Sequence, residues 1–106
     1  MKFKIAGVKY HQYKTILDDI VEGDSLMIVP EPENKFDPNA VALYYDNGSK
    51  QAMLGYIPKI LSSEISALIE IGKQLNCIVT QFNPTASPWD IFEVEIKECF
   101  NEGEGD

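Results

Sequence analysis

Phe36 stands in the middle of the most polar stretch of the chain, and that placement is the first sign of chemistry. Residues 31–45 read EPENKFDPNAVALYY, with two prolines, two asparagines and three acids in the first nine positions and an apolar run directly after them. Asn34, Asp37 and Asn39 can each hydrogen-bond nearby backbone, while Pro32 and Pro38 hold φ at about −65°. Turn chemistry accounts for those residues. It does not account for Phe36, because an aromatic at a turn apex either folds back on the core or stands out for a ligand. A base stacked on it would offset the exposure by about 1–3 kcal/mol.

Two other stretches carry related chemistry. Lys9-Tyr10 sets a cation beside an aromatic, which structurally reads as an exposed strand end. Residues 55–59, GYIPK, read as punctuation between a strand and a helix: Gly55 allows close packing, and Pro58 suits the first helical position, where no backbone donor is needed. Such a helix start also presents free N–H groups that attract phosphate, and Lys59 adds a point charge there. His11, beside Tyr10, reads as a solvated loop histidine. The chain shows no nucleophile–base pair, no metal-ligand cluster and no phosphate-cradling glycine loop. It is therefore read as a binding module and not as an enzyme, with no cofactor. Cys77 and Cys99 form no CxxC pair and read as free buried thiols.

The elements that must position these residues follow from periodicity. KFKIAGV, residues 2–8, alternates like a strand, and KYHQYK follows as a strand end or loop. Residues 16–24 fit a short strand or helical turn before the Gly23-Asp24 turn. SLMIVPE is a strand ended by Pro30. AVALYY and AMLGYI form a hairpin across Asn47-Gly48. Leu61, Ile65, Leu68 and Ile69 lie on one face of a helix inside residues 58–72, closed by Gly72. NCIVTQF is a strand, NPTASP a loop, and residues 89–100, WDIFEVEIKECF, a long strand with Phe92, Val94 and Ile96 on one face. The expected fold is mainly β with one or two helices: a small antiparallel barrel of five to seven strands with a helix after the fourth. Residues 1–100 form its single domain, and 101–106 an acidic disordered tail.

Charge narrows the function. The net charge is −8, with nine lysines and no arginine, which argues against broad, non-specific nucleic-acid binding driven by phosphate neutralisation. The imbalance is uneven: residues 90–106 hold seven acids and one lysine, and therefore −6 of the −8. Lys2, Lys4, Lys9, Lys14 and Lys35 all fall in the first third, so a local basic patch is compatible with the total. No apolar run approaches the roughly 20 residues that span a bilayer, and the N-terminus lacks a secretory pattern. The expected setting is cytoplasmic.

Together, GVKY near the start, EPENKFDPNAV about 25 residues on and GYIPK ahead of a helix give a chain that resembles the HIRAN domain over roughly residues 3–82. The resemblance implies an OB-like or SH3-like barrel. It also implies binding of single-stranded DNA at its free 3′ end. On that resemblance Lys9 contacts phosphate and Tyr10 stacks on a base. Asn34 and Asp37 belong to the 3′-end pocket, where the Asp37 carboxylate accepts a hydrogen bond from the 3′-hydroxyl. Phe36 is a second stacking aromatic, and Tyr56 and Lys59 reach the terminal phosphates. Tyr10, Phe36, Asp37, Tyr56 and Lys59 are expected to converge on one groove. The family's arginine is lysine at position 9, and its frequent tyrosine is phenylalanine at position 36. A helicase or repair ATPase supplied in trans is the implied protein partner. The alternative is a protein-interaction module or acidic DNA mimic on the same barrel, for which Glu93, Glu95 and Glu98 are the motive.

Overall fold

The computed structural model describes residues 1–99. Six strands form one antiparallel sheet: β1 (Lys2–Lys4), β2 (Ser25–Pro30), β3 (Val41–Asp46), β4 (Gln51–Tyr56), β5 (Leu75–Phe82) and β6 (Phe92–Glu98). A single α-helix, α1 (Lys59–Glu70), follows β4, and three 3-10 turns cover Val8–Tyr10, Tyr13–Ile16 and Pro88–Asp90. Strand order is β1-β6-β5-β2-β3-β4. The sheet curls into a half-barrel, and an isolated bridge between Ala6 and Tyr56 joins its two ends. None of the helices of the described residues is long and apolar enough to cross a membrane.

Alternation explains the strands. In β6, Phe92, Val94 and Ile96 are buried while Glu93 and Glu95 are half-exposed on the outer face. Leu26, Cys77, Val79, Val41, Leu43 and Leu54 complete the interior with Phe3 and Ile5. Helix α1 buries Ile65, with Leu61, Leu68 and Ile69 packed against the same core, and it ends before Gly72 as the pattern predicted. Cys77 is a buried free thiol, pushed by that burial up to about 12, whereas Cys99 is a half-buried one.

The bridge that closes the half-barrel depends on Gly55. This residue sits at φ 152°, and a Cβ there would lie 2.3 Å from the Ala6 carbonyl oxygen and 2.8 Å from Ile5 Cγ2. Without a side chain, the two segments come close enough for paired bonds: Ala6 N–H to Tyr56 O at 2.8 Å and Tyr56 N–H to Ala6 O at 2.9 Å. β4 also carries a bulge opposite Leu43 and Tyr44. An extra residue in one strand reverses which side chains face inward. Ala52 and Leu54 are buried before it and Ile57 after it, so Tyr56 is left half-exposed beside the bridge.

Three details differ from the pattern in the sequence. β1 stops at Lys4, because Ala6 pairs with β4 and Gly7, at φ 73°, turns the chain into the Val8–Tyr10 turn. Residues 13–20 form a 3-10 turn and a further bend, burying Ile16 and Ile20, with no strand there. Trp89 and Asp90, assigned to the last strand, belong to a 3-10 turn begun by Pro88, and β6 starts only at Phe92. The expected tail, 101–106, lies outside the described residues.

Candidate functional site

The loop between β2 and β3 is held by its own polar side chains. The Asn34 side-chain oxygen, Oδ1, accepts the N–H groups of Phe36 (2.9 Å) and Asp37 (3.1 Å). Asp37 Oδ1 accepts the Asn39 N–H at 2.8 Å. Backbone bonds from Glu31 N–H to Ala40 O and from Ala40 N–H to Asp37 O close the loop at its base. The turn chemistry and the protruding aromatic are thus one device. The bonds from its own N–H and that of Asp37 to Asn34 fix the backbone at Phe36, which is 92% exposed.

Two further bonds pin the loop to the fold. Tyr56, turned outward by the bulge, donates its hydroxyl to Glu31 Oε1 at 2.8 Å, and Asn34 Nδ2 donates to the same oxygen at 3.0 Å. On the other side Ser62, buried in the first turn of α1, places its hydroxyl 3.1 Å from Asp37 Oδ2 and 3.0 Å from the Lys59 carbonyl. Burial first, then the hydrogen bond and charge of Glu31, hold the Tyr56 hydroxyl above the usual tyrosine range, and the Asn34 amide pulls the other way.

Between loop, β4 and α1 lies a groove of about 460 Å³. Asn34, Phe36, Asp37, Tyr56 and Lys59 line it, over a floor of Ala6, Ala40 and Ile57. Five of the seven sequence-derived candidates therefore meet in one place. The other two, Lys9 and Tyr10, line a neighbouring hollow of about 190 Å³ with Gly7, Val8, Pro88 and Trp89. Because Ala6 and Gly7 are consecutive, the hollow adjoins the groove across the barrel's closing bridge. Lys9 Nζ sits 5.0 Å from the centroid of the Tyr10 ring, a cation–π arrangement.

Sequence reading missed three residues here. Trp89, 65% exposed, faces the same hollow as Tyr10. Like Phe36, it is an aromatic beside a proline in a polar turn, which is the signal it carries in the sequence. Glu31 looked like one more turn acid, and Ser62 gave no signal. His11 is half-buried and packs edge-on against the Tyr56 ring at 5.7 Å, and is not a solvated loop histidine.

Lys4, Lys50, Lys73 and Lys97 each lie within 4 Å of a carboxylate. Among the described residues Lys2, Lys9, Lys14, Lys35 and Lys59 have no such partner, and of these Lys59 lines the groove and Lys9 the hollow. No group of three or more His, Cys, Asp or Glu among the described residues is placed to hold a metal ion.

A model of the HIRAN domain matches residues 1–87. Among curated proteins the chain is similar to a Fanconi-associated nuclease 1 homolog from Oryza sativa subsp. japonica, at 29% identity over 66 residues. That match covers 62% of this chain but 6% of the nuclease homolog, so the chain spans only a small part of that relative's length. Among solved structures it is similar to the HIRAN domain of human HLTF, with a TM-score of 0.66 and 14% identity over 92% of this chain and 73% of the other. It is also similar to a protein from Lactobacillus plantarum, with a TM-score of 0.76 and 21% identity over 92% and 89% of the two chains. At these identities the structural likeness speaks to the fold.

Proposed function

The chain belongs to the HIRAN family, and from that premise we propose that it is a non-catalytic module that binds single-stranded DNA by a free 3′ end. The observation that carries this reading is the meeting of Phe36, Asp37, Tyr56 and Lys59 in one groove under a loop whose backbone is fixed before any ligand arrives. Preorganisation of this kind lowers the ordering cost of binding.

Each residue then has a role its chemistry suits. The exposed face of Phe36 takes the terminal base. Asp37 receives the 3′-hydroxyl: its oxygens already accept from Asn39 and Ser62, yet a carboxylate offers about four lone-pair sites, so capacity remains. The same negative charge disfavours a 3′-phosphate, which is selection through an unfavourable alternative. Lys59 and the N–H groups at the very start of α1, ahead of the Leu61 and Ser62 N–H groups that bond to the Pro58 carbonyl, suit the preceding phosphate. Lys9 and Tyr10, with Trp89, continue the track as an aromatic and cationic station for the next nucleotide. Affinity is expected to be weak, with a salt slope of about −2, since two or three lysines each contribute roughly 0.7 on a single strand. A helicase or repair ATPase acting in trans fits such a module as a partner.

The test uses labelled single strands ending in 3′-hydroxyl or 3′-phosphate, at two salt concentrations. Wild-type protein is expected to favour the hydroxyl end, and Asp37→Ala to blur that preference, with tighter binding of the phosphate end. Binding to neither strand at low salt, or an end preference that Asp37→Ala leaves untouched, overturns the reading.

A further inference from the structure

One acid at the site has no contact with the groove. Glu31 is absent from the groove lining and instead borders a separate open hollow with Pro30, Pro32, Glu33 and Asn34. Yet its Oε1 accepts a hydrogen bond from each of two groove-lining side chains, Tyr56 and Asn34. A count of protons shows what this does. A tyrosine hydroxyl has one proton to give and lone pairs to receive with. With its O–H directed at Glu31, Tyr56 has only lone pairs left for other partners, one of them toward the Asn34 amide, so it can offer a ligand an acceptor and no donor. The Asn34 side-chain oxygen is filled by two backbone N–H groups, and Asp37 can only accept. Tyr56 and Asp37 thus form an acceptor wall, with the Lys59 ammonium as the cationic donor of the groove lining.

Resting on the 3′-end reading above, we propose that Glu31 is a positioning residue for end selection: by fixing the Tyr56 proton away from the groove it makes Tyr56 a second acceptor for a ligand hydroxyl. This moves Tyr56 from the phosphate side of the ligand, where the family resemblance places it, to the hydroxyl side. A phosphate oxygen at this wall meets lone pairs from two residues. A hydroxyl meets two places to donate.

Glu31→Gln and Tyr56→Phe test it. In Glu31→Gln the carboxamide can turn its N–H₂ toward the tyrosine oxygen, which frees the hydroxyl proton to point into the groove. Preference for the 3′-hydroxyl over the 3′-phosphate strand is expected to fall about fivefold, the worth of roughly one net hydrogen bond. Affinity for the phosphate strand should hold or rise. Tyr56→Phe keeps the ring against His11 and removes only the oxygen, so a comparable loss of preference is expected there even where the glutamine variant folds poorly. A second readout needs no DNA. In an absorbance titration of the five tyrosines, one should ionise above the usual range in the wild type and shift down in Glu31→Gln, since the charge and hydrogen bond of Glu31 help hold the Tyr56 proton.

The outcomes separate the two claims. A wild-type protein with no end preference overturns the 3′-end reading and this inference with it. A wild type with preference, combined with full preference in both variants or no tyrosine shift in Glu31→Gln, overturns the role of Glu31 alone.

Discussion

The groove and the outer face of β1, β6 and β5 use the same residue types in opposite ways. On the sheet, charges cancel locally. Lys2 stands opposite Glu95 and Lys4 opposite Glu93 across the β1–β6 pair. Lys97 also reaches Glu95, Lys73 reaches Glu98, and the Thr80 hydroxyl donates to Glu93. Its neighbouring aromatics, Phe82 and Phe92, stack on each other at 5.5 Å, with Phe92 buried. Around the groove, backbone N–H groups, hydroxyls and an amide satisfy the carboxylates, the lysines are left without partners, and the aromatics stand in solvent. Net charge therefore describes neither face. Of the described acids from residue 90 onward, Asp90, Glu95 and Glu98 each lie within 4 Å of a lysine, and Glu93 accepts from Thr80.

The contrast is most easily broken at Gly55, which the groove shares with the barrel seam. Gly55→Ala forces a methyl group onto the Ala6 carbonyl at 2.3 Å, and overpacking together with backbone strain should cost on the order of 3 kcal/mol or more. Opening the Ala6–Tyr56 bridge should abolish binding as well. Gly48→Ala is the control. Its φ is also positive, at 89°, but nothing lies within 4 Å of the added carbon, so it should cost only about 1–2 kcal/mol. Chemical denaturation of both variants separates close approach from backbone conformation, and equal losses would refute the seam argument.

Next in size is Phe36. Because its side chain is almost wholly exposed, Phe36→Ala should leave stability within about 0.5 kcal/mol of wild type. Binding of hydroxyl and phosphate strands should weaken together by about 1–3 kcal/mol. A stability loss with unchanged binding would make Phe36 structural and erase its difference from Phe92.

How far the sequence could be read follows from the range of each signal. β6, the β3–β4 hairpin and α1 were legible because alternation and helical spacing act within one element. The loop of residues 31–40 was legible because Asn34 and Asp37 bond to backbone two or three residues away. What escaped depends on partners distant in sequence. Ala6 leaves β1 to pair with Tyr56, Glu31 finds the Tyr56 hydroxyl 25 residues on, and Ser62 finds Asp37 across the same interval. No period or turn rule encodes such pairs. Motif spacing brought Tyr56 and Lys59 to the candidate site, but only coordinates show that a bulge in β4 turns Tyr56 outward, or that Lys9 and Tyr10 occupy a hollow of their own.

The smallest expected effect sharpens the comparison most, because it asks whether position or mere number of lysines matters. Lys59→Gln and Lys9→Gln remove cations without a carboxylate partner that line the groove and the hollow, and Lys35→Gln removes one that stands between the groove residues Asn34 and Phe36 in sequence. If each meets one phosphate, each should reduce the slope of log affinity against log salt by about 0.7. Lys4→Gln and Lys97→Gln remove the same charge from a side chain already set against Asp90 or Glu95. Exposed pairs of that kind are worth less than about 1 kcal/mol, so stability should barely move. The salt slope should not move either, because no phosphate counterion is displaced there. All five changes alter the net charge equally, so a diffuse field would act on all five alike. Equal slope changes across both sets would mean that the molecule's overall charge governs binding and that the groove has no privileged cations. A slope that responds only to residues 9, 35 and 59 would trace the path of the phosphates past the bridge that joins Ala6 to Tyr56.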